Sequence, residues 1–327
     1  MKDRQNLHSA LDQALACGPF YGGGLFNHLP MALHAAWALG ADSARLQAQI
    51  THDAPRLPPR PAARPRTDWR TALGHRKAWA GLHADFAARI AAHGAETVLH
   101  DTLPVLMRSP HAAAFHGLIR SAHAFEGGHA GELAAALASW AATWVEPRVP
   151  APDARSAAPL QHLAAWCAAL QAARWRGEGR LISDRADAAM ASPAYTALAD
   201  TLEPAADLAQ RREQLLQLAL DAYLASGNFT ALHLLTGLRA VRVLAPLLPA
   251  QPEVQAWLTR AFVAAWLAAQ LQRRPPPDAP PPDWPALHAA ALAQFDDHAL
   301  KLVHACWQED QHRPDPRWRA AAALALG

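Results

Sequence analysis

Lysine is nearly absent from this chain. Lys2, Lys77 and Lys301 are the only three in 327 residues, although 30 side chains are basic, which leaves 27 arginines (30 − 3). The base composition of a gene is enough to produce that bias. Cysteine is scarce as well: Cys17, Cys167 and Cys306 stand far apart with no CxxC pair, which excludes a disulfide framework and a thiolate zinc site. An excess of one charge is also missing. Thirty basic residues against 28 acidic ones give a net charge of +2, so there is no basic field of the kind that binds nucleic acid. The longest largely apolar stretch, residues 261–271, falls well short of the roughly 20 residues needed to span a bilayer. Met1-Lys2-Asp3-Arg4 opens no apolar signal segment, so a soluble, cytoplasmic protein is expected. Nucleotide signatures fail too. Gly22-Gly23-Gly24 is not GxGxxG and follows no strand, and there is no Walker lysine motif, GxSxG or HExxH. Any use of NADPH would have no binding motif behind it.

What is abundant points one way. The chain has 80 alanines, the best helix former, while β-branched and aromatic residues are sparse. Apolar residues recur at three to four positions, which predicts helices over 5–17, 28–39, 69–93, 95–106, 110–144 (broken near Gly127-Gly128), 155–175, 205–225, 228–246, 252–273 and 286–310. Asp68-Trp69 and Pro110-His111 read as helix starts. Nothing alternates with period two for long enough to predict a strand, and no repeat at 34 or 40 residues suggests a solenoid. Proline interrupts the pattern three times. Residues 55–66 hold five prolines and four arginines, 147–159 four prolines, and 275–285 seven. The expectation is an all-α fold: one irregular multi-helix domain over 1–327, with loops at the proline runs.

Eighteen histidines offer imidazoles for a metal or for acid–base work. His52, His75, His83, His93, His100 and His129 lie among polar or loop residues and read as solvent-facing. Four sit differently. His28 opens a helix after the glycine turn, His116 lies in Ala114-Phe115-His116-Gly117-Leu118-Ile119, His233 stands between leucines, and His298 precedes Ala299-Leu300-Lys301-Leu302-Val303. Any one of them alone is more often a hydrogen-bonded core residue than a ligand. Lys301 bears on the choice, because apolar neighbours surround it and it lies three residues after His298, on the same side of a helix. An amine can lose its proton when desolvated and act as a base, or take up CO2 as a carbamate; a guanidinium cannot. The competing reading is a lysine snorkelling from the helix edge. Trp140, Trp144, Trp166, Trp175, Trp257 and Trp266 read as core residues or, alternatively, as the lining of an aromatic pocket.

These segments resemble the questin oxidase-like family. The stretches that carry the resemblance are Asn27-His28-Leu29-Pro30-Met31-Ala32-Leu33, Leu39-Gly40-Ala41, Asp68-Trp69 through Leu73-Gly74, Ala114 through Arg120, Gly227-Asn228-Phe229-Thr230-Ala231-Leu232-His233, and Asp297-His298-Ala299-Leu300-Lys301-Leu302. The resemblance implies oxidation of an aromatic polyketide or quinone by O2, through ring cleavage or Baeyer–Villiger-type oxygen insertion. It also implies a non-haem iron (Fe2+) held by His28, His116, His233, His298 and a carboxylated Lys301. Imidazole and carboxylate suit iron. Thr236, one turn past His233, is placed to support such a carbamate, and Arg120, one turn past His116, to orient a phenolate or carboxylate of the substrate. A buried salt bridge is the competing role for Arg120. His123 reads as an outer-layer or packing residue, and His304 competes with His298 as a ligand. The alternative from another class is a non-catalytic helical scaffold or ligand carrier whose histidines only satisfy the core. Which aromatic substrate is bound, and the oligomeric state, are not encoded in any of these motifs.

Overall fold

The computed structural model describes residues 4–150, 159–248, 252–275 and 280–327. Sixteen α-helices and one two-stranded hairpin are present among them, so the fold is all-α. The chain forms two compact units. The first comprises Met1–Leu99, His116–Thr143 and Pro275–Gly327; the second comprises His100–Phe115 and Trp144–Arg274. No helix among the described residues is long and apolar enough to cross a membrane.

The first unit contains α1 (Gln5–Ala14), α2 (Leu29–Leu39), α3 (Ser43–Asp53), α4 (Trp79–His93), the start of α5 (Ala95–Leu106), α6 (His116–Gly127), α7 (Ala130–Thr143), α14 (Trp284–Leu292), α15 (Asp297–His312) and α16 (Arg317–Ala325). Its core runs where α7 packs on α4 and α6, and where α15 packs on α2 and α16. Met31, Leu33, Phe86, Trp140 and Leu300 are all fully buried there. Close approach of α6 to α7 depends on Gly117: a Cβ there would stand 2.5 Å from Trp140 Cβ. The glycine after His116 thus lets Trp140 pack against the helix that carries the histidine. Residues 55–66 run along this unit, with Pro59 bridged to Cys17 and Arg66 paired with Asp85 at 2.9 Å.

The second unit holds α8 (Leu163–Ala172), α9 (Ile182–Met190), α10 (Pro193–Thr196), α11 (Leu208–Ser226), α12 (Phe229–Leu244) and α13 (Pro252–Ala269). Its main packing is α11 on α12, α9 on α13 and α12 on α13. Trp166 is fully buried and donates its indole N–H to the Leu198 carbonyl at 2.9 Å, a core role.

Four departures from the expected pattern have local causes. Helix α4 begins at Trp79 rather than at 69, because Gly74 takes φ +78° and residues 69–74 form turns. The stretch 110–115 is also turn, since Ala113, Ala114 and Phe115 adopt the left-handed conformation (φ 48°, 57° and 65°). The long 286–310 segment splits, because the Asp296 carboxylate accepts the backbone N–H groups of His298 (2.7 Å) and Ala299 (3.1 Å) and starts α15 there. Finally, Phe20–Tyr21 and Leu25–Phe26 pair as a hairpin too short to show an alternating pattern. Its turn, Gly22-Gly23-Gly24, has positive φ throughout, which explains the three glycines without a nucleotide. The expected helix 155–175 lies partly outside the described residues; within its described part only Leu163–Ala172, α8, is helical.

Candidate metal centre

The hairpin and three helix starts bring His28, His116 and His298 together. His28 is the N-cap of α2, His116 is the first residue of α6, and His298 is the second residue of α15. Asn27 fixes the first of these. It is fully buried, its amide donates to the Gly18 carbonyl (3.0 Å), and its carbonyl oxygen accepts from the Leu29 backbone (3.0 Å). The second is held from two sides. Phe26 stacks on His116 with ring centroids 5.2 Å apart, and the left-handed turn over 113–115 feeds directly into it. Three consecutive non-glycine residues in that region cost roughly 1–2 kcal/mol each, strain of a kind that gathers at functional sites. His28 stacks on His116 (4.5 Å) and meets His298 edge to face (4.6 Å). One nitrogen from each of the three rings lies within 4.8 Å of the others.

Asp297 orients two of these rings. Its Oδ1 accepts from His28 Nδ1 at 2.8 Å and from His298 Nδ1 at 2.9 Å, and lies 3.2 Å from Lys301 Nζ. Burial pushes the Asp297 carboxyl up, but the Lys301 charge and the hydrogen bonds from His28 and His298 outweigh it and hold the group well below its ordinary value. A carboxylate only accepts, so both imidazoles carry their proton on Nδ1 and keep a lone pair on Nε2. His28 Nε2 is buried without a hydrogen-bond partner in the structure. That is the arrangement of a carboxylate–histidine–metal triad. Burial, reinforced by Lys301, lowers His28 to about 4 and lowers His298 as well, so both rings are neutral near pH 7, as a ligand must be. Lys301 is 3% exposed, and burial lowers its pKa against the opposing pull of Asp297.

The remaining expected residues fall as follows. His233, in the second unit on α12, is buried; its Nδ1 donates to the Phe229 carbonyl at 2.8 Å, so its lone pair is also on Nε2. Thr236 donates its hydroxyl to the Leu232 carbonyl of its own helix at 3.1 Å. Arg120 forms a buried, two-pronged ion pair with Glu132, Nε–Oε1 2.5 Å and Nη2–Oε2 2.8 Å, while its Nη1 has no hydrogen-bond partner. His304 lies with His34 and His123 in a second cluster, and not with His28 and His116. Sequence reasoning did not assign Asp297 a role, although it lies four residues before Lys301, where an i, i+4 pair forms.

The depressed histidines have a consequence for the metal-free protein. An unfolded histidine takes up its proton near pH 6.5, whereas folded His28 and, in the second unit, His111 do so only near 4. Across that window the unfolded chain binds more protons, so stability falls as pH drops from 6.5 to 4, by about 3 kcal/mol per such group at the lower end. Asp297 adds a further loss at lower pH, once its folded-state pKa is approached. Urea unfolding at pH 7 and pH 5 should show a clearly lower midpoint at pH 5; equal midpoints would contradict the buried, neutral state of these rings.

No curated protein gives a significant match to the chain. A family model described as Questin oxidase-like matches residues 25–306, which takes in the hairpin's second strand and all of the histidines above, and the chain belongs to that family.

Proposed function

We propose that this protein is an oxidoreductase that uses a bound iron ion and O2 to oxidise an aromatic polyketide or quinone. The observation that carries the reading is the convergence of His28, His116 and His298, with Asp297 setting the tautomer of two of them. A set of neutral imidazoles supported by a carboxylate fits iron, zinc or copper, and the family's name selects oxidation among their chemistries. Iron, when bound, would supply the one-electron chemistry that O2 needs. His28, His116 and His298 would hold it, with Lys301 of the same unit added on the strength of the resemblance.

Three helices present their N-terminal ends to this cluster, and the partial positive charge there favours an anion such as a phenolate. Arg120 Nη1 is one further donor for such a group, held in place because Glu132 fixes the rest of the guanidinium. Lys301 has a distinct task in this proposal. Its desolvated amine attacks CO2, a nitrogen–carbon bond forms, one proton leaves, and a carboxylate-bearing carbamate results. The carbamate keeps one N–H, which can still donate to Asp297 Oδ1, now 3.2 Å from Nζ.

The test is metal content and oxygen use. Untagged protein loaded with Fe(II) without air should hold iron and consume O2 with a hydroxylated anthraquinone. His28→Ala, His116→Ala and His298→Ala should each lower iron occupancy and remove the oxygen uptake. Full iron in all three variants would refute the assignment.

A further inference from the structure

Two helical turns beyond the first cluster, the same three helices carry a second one. His34 on α2, His123 on α6 and His304 on α15 follow His28, His116 and His298 by six, seven and six residues, or about 9–10 Å of helix. Their exposures are 3%, 3% and 0%, so all three imidazoles are inside the first unit. The rings form a nearly equilateral group, with centroids 5.0, 5.5 and 5.4 Å apart, and one nitrogen of each lies within 4.8 Å of the other two. His34 and His123 face each other through Nδ1 at 2.8 Å, so one ring donates and the other accepts.

We infer that His34, His123 and His304 form a second metal site, for a divalent ion of the zinc and copper class. Three imidazoles are the donor set such ions take, with water or hydroxide in a fourth position. Bond lengths of about 2.0–2.1 Å would place the donor nitrogens roughly 3.0–3.4 Å apart, so the Nδ1 pair has to open by only a few tenths of an ångström. The ion would tie α2, α6 and α15 to one another just behind the helix starts that carry His28, His116 and His298. Its task is structural: it fixes the spacing of the first triad without touching a substrate.

Co2+ is a suitable probe, since its visible absorption reports four-coordinate binding. Metal-free, untagged protein titrated with Co2+ should take up two equivalents. His34→Gln, His123→Gln and His304→Gln should each lose one equivalent and the second site's absorption. The converse variant, His28→Gln/His298→Gln, leaves the second cluster intact and should still bind one equivalent, with a higher melting temperature when Co2+ is present. That arm decides the matter even if the first set of variants does not fold. No Co2+ bound by His28→Gln/His298→Gln would overturn the second site, as would full uptake by folded variants of His34, His123 and His304. Two equivalents retained by His28→Gln/His298→Gln would instead count against the first triad.

Discussion

If His28, His116 and His298 hold iron as proposed, Asp297→Asn should weaken iron binding before it costs the protein its fold. The substitution keeps the size of the side chain and removes the charge that three groups share: His28 Nδ1 at 2.8 Å, His298 Nδ1 at 2.9 Å and Lys301 Nζ at 3.2 Å. A neutral amide oxygen is a weaker acceptor, and the amide nitrogen can face an imidazole N–H only by displacing it. Both rings then lose the partner that directs their lone pairs, and outer-layer losses of this kind typically weaken metal binding 10–100-fold. Iron affinity measured with a competing chelator should fall within that range, and oxygen uptake should fall with it at limiting iron. The Asp297 side chain is 20% exposed, so the stability loss is moderate, about 1–2 kcal/mol. Asp297→Ala should be at least as severe. An unchanged iron affinity in both variants would mean that Asp297 is no more than an acidic residue at a helix start.

Asp296-Asp297 at the beginning of a helix reads as capping, and one of the two does cap: Asp296 accepts the His298 and Ala299 backbone N–H groups. Only the fold separates their tasks, because His28 arrives from a position 269 residues away. The all-α class was legible, since alanine content and three-to-four periodicity act locally. His28, His116 and His298 stood out by their apolar neighbours, although the pattern puts His116 and His298 inside the expected helices 110–144 and 286–310 and only the fold puts them at helix starts. His34 was overlooked even though Leu33 and Ala35 flank it just as apolar residues flank His233. The left-handed turn at Ala113-Ala114-Phe115 could not have been foreseen, because alanine favours the right-handed helix and no glycine marks the spot. Its conformation is imposed by the surrounding structure against local preference. It lies immediately before His116, a place where propensity and function disagree.

Lys301→Arg is expected to abolish oxygen uptake while leaving the chain folded. Lys301 is one of only three lysines, is 3% exposed, and stands three residues after His298 and four after Asp297. If the amine served only as the counter-charge of Asp297, an arginine would replace it at modest cost, since a guanidinium pairs with a carboxylate at least as well. If the amine is carboxylated, the exchange is fatal to activity, because a guanidinium stays protonated, offers no lone pair and cannot add CO2. Burial already lowers the Lys301 pKa, which raises the fraction of neutral amine available for that reaction, and Asp297 limits how far the shift goes. The two roles separate in three measurements. Circular dichroism and thermal melting of Lys301→Arg should stay close to those of the unaltered protein, apart from the 1–3 kcal/mol that fitting a larger side chain into a packed site costs. Activity should vanish and should not return with added bicarbonate. In Lys301→Ala, by contrast, a short-chain carboxylic acid such as acetate or propionate should restore part of the activity, by supplying the missing carboxylate from solution. An active Lys301→Arg enzyme, or unaltered protein indifferent to the removal and return of CO2, would leave Lys301 as the ion-pair partner of Asp297 alone.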